Sequence, residues 1–261
     1  VPTRDAYKQG TPSWVDLQTT DVNGAKAFYG ALFGWTFDDQ EIPGGGGPYA
    51  MSLKNGKHAA AITAQSPPMV AAGVPPMWNT YLAVDDVDAT AARVAESGGQ
   101  LAMPAMDVMD AGRMAFAMDP TGAAFGMWQA KQHIGAEIVN EPGALIWNEL
   151  VSDDVAKASA FYEKVLSVTA EESEMGGNPY TLFKVDGEMV AGATGPMMPG
   201  IPNHWGVYFC VEDTKVATQK VAELGGTVVV EPFETPIGMM AIAKDPQGAY
   251  FSLFSPGGQA A

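Results

Sequence analysis

Two hydrophobic periodicities take turns along the chain. In WVDLQTT, from Trp14, apolar and polar residues alternate with the two-residue period of a strand. From Val22 the period lengthens: Val22, Ala25, Tyr29 and Leu32 form a stripe at helical spacing, with Asp21 placed to cap its start and Gly34 to end it. The same switch recurs at Asp154, where Val155, Ala158, Tyr162 and Val165 repeat the stripe. Short alternating runs follow the helices, among them YAMSLKNG, RMAFAMD, YTLFKVDG and MMAIAKD, and their lengths suit strands joined by tight turns. Phe28, Tyr29, Phe161 and Tyr162 lie on helical stripes and are expected in the core between helix and sheet.

The recurrence is a true repeat. WVDLQTTDVNGAKAFYGALFG from Trp14 matches WNELVSDDVAKASAFYEKVLS from Trp147, so that Trp14 meets Trp147, Asp16 meets Glu149 and Asp21 meets Asp154. WNTYLAVDDVDATAARVAESGG from Trp78 matches WGVYFCVEDTKVATQKVAELGG from Trp205, and DPTGAAFGMW from Asp119 matches DPQGAYFSLF from Asp245. Each half is thus double, which predicts an α+β fold of four βαβββ modules. The first domain is expected over residues 11–130, a linker over 131–143 and the second domain over 144–257. Whether modules pair within each half or across the halves is open at this level. The Pro-rich stretches around Pro67–Pro76 and Gly195–Pro202 read as linkers inside each half, and the Gly44–Gly47 run as a lid.

With 261 residues, two domains are the natural reading of the length. The formal charge of −16, from 30 acidic against 14 basic residues, repels phosphate backbones and anionic bilayers, so neither nucleic acid nor membrane is an expected partner. No run approaches the roughly 18 apolar residues that span a bilayer, and VPTRDAYKQG lacks the layout of a signal peptide, so a cytoplasmic protein is expected. The single cysteine, Cys210, sits in the apolar run VYFCV and reads as a buried core thiol.

The strand–Asp–helix openings with AFY, the segment Val84-Asp85-Asp86, the Gly-Gly helix ends at Gly98 and Gly225 and the DPxG turns at Asp119 and Asp245 together resemble the vicinal oxygen chelate superfamily. That superfamily includes glyoxalase I, bleomycin- and fosfomycin-resistance proteins and extradiol dioxygenases. The likeness is greatest to tandem actinobacterial proteins described as glyoxalase-like or as hydroxylases. It implies that the four βαβββ modules pair into two glyoxalase-type half-barrel domains, each pair making a cup, whose metal ligands in metal-binding members lie on the first and last strands of each module. The first-strand position falls on Trp14, Asn79, Trp147 and Gly206, and the last-strand position on Gly126 and Ser252, while HAAAIT and EMVAGAT offer no well-placed acid. None is the usual histidine or glutamate, and indole does not ligate zinc or iron, so no metal and no cofactor is expected.

If Trp14 points into the cup as that position implies, strand alternation brings Asp16 and Gln18 with it, facing Asn79, Tyr81, Gly126 and Trp128. The second cup receives Trp147, Glu149, Gly206, Tyr208, Ser252 and Phe254. Asp16 and Glu149 are the candidate acid–base residues, since a carboxyl beside indole in a desolvated pocket has a raised pKa. Their structural alternative is to hydrogen-bond the cup wall. Trp14, Gln18, Asn79, Tyr81, Trp128, Trp147, His204, Tyr208, Ser252 and Phe254 are the candidate ligand contacts; His58 and His133 read as exposed loop positions. Aromatic walls suit a flat aromatic or polyketide-like molecule. Two functions follow: metal-independent binding of such a molecule, or a cofactor-less lyase, isomerase or hydroxylase of secondary metabolism. A metal-dependent glyoxalase or dioxygenase fits the ligand positions least. The expected partner is that small molecule, bound by a monomer with internal pseudo-symmetry or by a homodimer.

Overall fold

The computed structural model describes residues 2–41 and 47–257, so of the expected Gly44–Gly47 lid only Gly47 lies within the described residues. The first module runs β1 (Pro12–Thr19), α1 (Val22–Phe33), β2 (Thr36–Glu41), β3 (Pro48–Lys54) and β4 (Lys57–Ala64). A short helix, α2 (Pro67–Ala71), forms in the first Pro-rich stretch, where proline fits the opening turn. The second module is β5 (Met77–Ala83), α3 (Val87–Glu96), β6 (Gln100–Val108), β7 (Gly112–Met118) and β8 (Ala124–Ala130). The third is β9 (Leu145–Val151), α4 (Val155–Leu166), β10 (Thr169–Met175), β11 (Asn178–Val185) and β12 (Glu188–Thr194). The fourth is β13 (His204–Cys210), α5 (Thr214–Glu223), β14 (Thr227–Thr235), β15 (Gly238–Lys244) and β16 (Tyr250–Pro256).

The caps explain where the long helices begin. Asp21, Asp86, Asp154 and Asp213 each accept a hydrogen bond from a backbone N–H of the first helical turn, a cap worth about 1 kcal/mol. Gly34 ends α1 at φ 72°, a left-handed conformation suited to glycine.

Modules pair within each half through the sheets. β1 lies antiparallel to β5, giving the order β2-β3-β4-β1-β5-β8-β7-β6, and β9 lies antiparallel to β13 in the matching order β10-β11-β12-β9-β13-β16-β15-β14. Alternation then sorts the central strands into two faces: Trp14 and Asp16 on one, Val15 and Leu17, both fully buried, on the other. The second faces of the two sheets meet, and at their centre Asn148 Nδ2 donates to Thr80 Oγ1 at 2.8 Å. The two cups therefore lie on opposite sides of the molecule.

Helix packing, by contrast, crosses between the halves. Phe28, Tyr29 and Phe33 of α1 pack edge-on or tilted against Phe209 and Phe251 of the second sheet. Phe161 and Tyr162 of α4 pack against Phe125 of the first. Two polar chains run through these cores. Trp78 Nε1 donates to the Tyr29 hydroxyl at 3.0 Å, which donates to Asp245 Oδ2 at 3.0 Å. Trp205 Nε1 donates to the Tyr162 hydroxyl at 2.8 Å, which donates to Asp119 Oδ2 at 3.0 Å. The AFY motif of each half thus reads the DPxG turn of the other. Cys210 is a buried free thiol, and among the described residues no helix is long and apolar enough to cross a membrane.

Candidate functional site

In the first cup the carboxylate is the hub. Asp16, only 2 % exposed, accepts hydrogen bonds from the Tyr81 hydroxyl at 2.7 Å and the Tyr49 hydroxyl at 3.1 Å on Oδ2, and from Asn79 Nδ2 at 2.8 Å on Oδ1. Trp14 Nε1 donates to the Tyr49 hydroxyl at 2.8 Å. Burial pushes the Asp16 carboxyl above the ordinary range, and the hydrogen bonds from Tyr81, Asn79 and Tyr49 oppose that push.

The second cup repeats the hub on Glu149. Its Oε1 accepts from the Tyr208 hydroxyl at 2.6 Å and its Oε2 from the Tyr180 hydroxyl at 2.8 Å, while Trp147 Nε1 donates to Tyr180 at 3.0 Å. Burial raises this carboxyl too, against the hydrogen bonds from Tyr208 and Tyr180 and the proximity of His204. Tyr180 stands two strands from Glu149 and crosses β12 over Gly192, where an added Cβ would collide with its hydroxyl. In the first cup Gly126 serves similarly, leaving space that the Tyr81 ring fills.

The predicted wall residues Trp14, Asn79, Tyr81, Trp147 and Tyr208 all join these two hubs. Gln18 continues the face of β1 opposite Met77 and makes no hydrogen bond to the Asp16 group. Ser252 pairs in register with Tyr208, and Phe254 lies two residues further along the same face of β16. His204 is exposed, its Nδ1 lies 2.8 Å from the Pro202 carbonyl, and its Nε2 lies beside Gly206. Tyr49 and Tyr180 were not among the expected contacts, although a PY pair lies near the start of both third strands, at Pro48-Tyr49 and Pro179-Tyr180.

His133 is a correction. Instead of an exposed loop position, it is packed edge-on to Trp14 at 4.5 Å and to Trp128 at 5.8 Å between ring centroids, with His58 at 5.4 Å. His58 is likewise half-buried rather than exposed. Trp128 Nε1 donates to the His133 carbonyl at 2.8 Å, so the linker is seated on the first cup by backbone and side chain together. Farther on, the N–H of Ala136 donates to the Ser13 carbonyl at 2.7 Å. Gly135 allows this approach, because at φ 111° a Cβ would collide with that same carbonyl.

Two differences separate the cups. Trp14, Asp16, Tyr81 and Trp128 are 3 %, 2 %, 5 % and 7 % exposed, whereas their counterparts Trp147, Glu149, Tyr208 and Phe254 are all partly exposed. The third-strand tyrosines run the other way, Tyr180 being buried and Tyr49 partly exposed. The second difference is at the carboxylate: Asn79 donates to Asp16, while its counterpart, Gly206, has no side chain with which to reach Glu149.

The residues at the metal-ligand positions do not fit a divalent cation. Trp14, Trp147 and Asn79 direct N–H donors into the hubs, Gly126 is covered by Tyr81, Gly206 has no ligating side-chain atom, and Ser252 offers a single neutral hydroxyl. Among the described residues no three His, Cys, Asp or Glu side chains come together as a metal would require.

The family model described as Glyoxalase/Bleomycin resistance protein/Dioxygenase superfamily matches residues 11–127 and again 133–253. The chain is 53 % identical over 261 residues to the protein named as glyoxylase CFP32 in Mycobacterium tuberculosis (strain CDC 1551 / Oshkosh), covering 99 % of this chain and 100 % of that one. It is 37 % identical over 262 residues to the anthracycline biosynthesis protein DnrV of Streptomyces peucetius, covering 95 % and 94 %. Among solved structures, the Mn(II)-bound glyoxalase from Novosphingobium aromaticivorans superposes with a TM-score of 0.65 at 15 % identity, over 95 % of this chain and 82 % of that chain. The 2,3-dioxygenase LapB from Pseudomonas sp. KL28 superposes with a TM-score of 0.63 at 16 % identity, over 96 % and 94 %. At these identities the structures share the fold.

Proposed function

The chain belongs to the Glyoxalase/Bleomycin resistance protein/Dioxygenase superfamily, and on that premise we propose that it binds a small, flat aromatic molecule in a cup of this fold without a metal ion. The observation that carries this reading is the Glu149 carboxylate, held by Tyr208 and Tyr180 in a partly exposed wall that also contains Trp147 and Phe254. Indole and phenyl rings offer broad apolar contact, and the carboxylate adds one strong polar anchor. Such a ligand agrees with the name of the Streptomyces relative, an anthracycline biosynthesis protein. The raised carboxyl of Glu149 favours a second reading, in which the same residue moves a proton on the bound molecule as a cofactor-less lyase, isomerase or hydroxylase would.

A native mass spectrum of freshly purified protein is expected to show a retained small molecule, with no stoichiometric first-row metal by elemental analysis; a stoichiometric metal overturns the metal-free reading. For an added flat phenol, 2-naphthol, Glu149→Gln is expected to weaken binding about tenfold, the size of a lost charge-assisted hydrogen bond. The ionised carboxylate is the better acceptor. Since burial raises the Glu149 pKa, affinity is expected to fall on acidification at a higher pH than an ordinary glutamate would dictate, and this acid limb is absent from Glu149→Gln. A variant that binds as the parent does at every pH removes Glu149 from the site.

A further inference from the structure

We infer that the two cups have divided their roles: the first is locked shut by its own side chains, and the second takes a ligand whose O–H or N–H donor fills the place of the missing asparagine. The inference rests on the proposed binding function and specifies where, and through which group, the ligand is held.

In the first cup, three donors converge on Asp16, and the one on Oδ1 is the amide of Asn79 at 2.8 Å. In the second cup, two tyrosines supply one donor to each oxygen of Glu149, and the position of the third donor is Gly206. Gly206 pairs with Glu149 in register on β9, as Asn79 pairs with Asp16 on β1, so the absence of this one side chain leaves the carboxylate a donor short. An ionised carboxylate has about four lone-pair sites, and two tyrosines leave some of them open. The gap is bordered by polar and aromatic groups: a Cβ at Gly206 would lie 3.8 Å from the Tyr208 ring and 3.9 Å from His204 Nε2. A phenol, enol or amide N–H of a flat ligand meets both needs, its ring against Trp147 and Phe254 and its donor on Glu149.

The closing of the first cup is independent of Asn79. His133 lies across Trp14 and Trp128, and the segment that follows it is fixed to Ser13 and to His58, whose carbonyl accepts from the N–H of Glu137 at 2.7 Å. Asp16 consequently holds three donors, one more than Glu149, and its approach is covered.

The test is calorimetric titration with 2-naphthol and with 2-methoxynaphthalene, which has the same rings and no donor. The parent is expected to bind one 2-naphthol per chain, at least about tenfold more tightly than the ether. Gly206→Asn, which restores the first cup's third donor, is expected to weaken 2-naphthol binding by about tenfold or more while circular dichroism shows the fold retained. Should that variant fail to fold, the comparison of phenol and ether in the parent and in Glu149→Gln decides, the preference shrinking to under about threefold in the variant. Two phenols bound per chain, equal affinity for phenol and ether, or an undiminished affinity in folded Gly206→Asn overturns the inference and leaves the binding function standing. A parent that binds neither compound overturns both.

Discussion

Asp245→Ala is expected to destabilise the protein by about 3 kcal/mol or more in urea unfolding, although Asp245 is hydrogen-bonded to neither carboxylate hub. Only 3 % exposed, its Oδ1 accepts the backbone N–H groups of Gln247, Gly248 and Ala249 at 3.0, 2.8 and 2.9 Å, and its Oδ2 accepts the Tyr29 hydroxyl at 3.0 Å. Alanine strands the Gln247 and Ala249 N–H groups and the Tyr29 hydroxyl at once, while the Gly248 N–H keeps the residue-245 carbonyl, and each buried donor left unpaired costs about 1–3 kcal/mol. Tyr29→Phe breaks the cross-half link while leaving the turn intact, and is expected to cost about 1–2 kcal/mol because Trp78 Nε1 loses its acceptor. The double variant should lose less than the sum of the two, since both remove the same contact. A loss under about 1 kcal/mol for Asp245→Ala would show that the turn and the link contribute little to folding.

Stability is expected to fall on acidification through a single linker side chain, and His133→Phe to remove that part of the fall. Burial, helped by the nearby His58 and opposed by Glu137, lowers the His133 pKa from 6.5 to about 4. The unfolded chain takes up the proton near pH 6.5 and the folded chain only near 4, so between these values the unfolded state holds more protons. The stability that neutral His133 contributes is complete above about pH 6.5 and is lost as pH drops toward 4, by at most roughly 3 to 4 kcal/mol at about 1.4 kcal/mol per pH unit. Asp16, Glu149 and Asp245, whose carboxyls burial raises, act with the opposite sign. The informative quantity is therefore the difference between parent and His133→Phe, measured by denaturant unfolding from pH 7.5 to 4.5. Phenylalanine keeps the edge-on contacts with Trp14 and Trp128, so a difference that does not change with pH removes His133 as its source.

The sheets and helices were legible in the chain because duplication prints each signal more than once: the Asp caps, the AFY stripes and the DPxG turns all recur where the elements do. Most of the cup wall was legible for a related reason, since alternation about Trp14 and Trp147 fixes which residues share its face. What the repeat does not print was harder to read. His133 belongs to a linker without an internal counterpart, and a lone histidine among Gln, Gly and Ala carries no periodicity to place it against indole. Tyr49 and Tyr180 were marked by a shared PY, yet their reach depends on the small Ala61 and Gly192 in the intervening strand. The links from Tyr29 to Asp245 and from Tyr162 to Asp119 depend on how two sheets stack, which local pattern does not encode.

Those crossed links bear on how such a chain can arise. Each half supplies a tyrosine and receives one, and the donor and the acceptor lie on corresponding elements of the two copies. A single-copy chain carrying both would close the same contacts with a second molecule of itself about a two-fold axis. Joining two copies end to end through a short linker makes that encounter intramolecular and independent of protein concentration. It also frees the two sites from having to be identical, so that one cup can spend its aromatic wall on holding the linker while the other keeps its wall open.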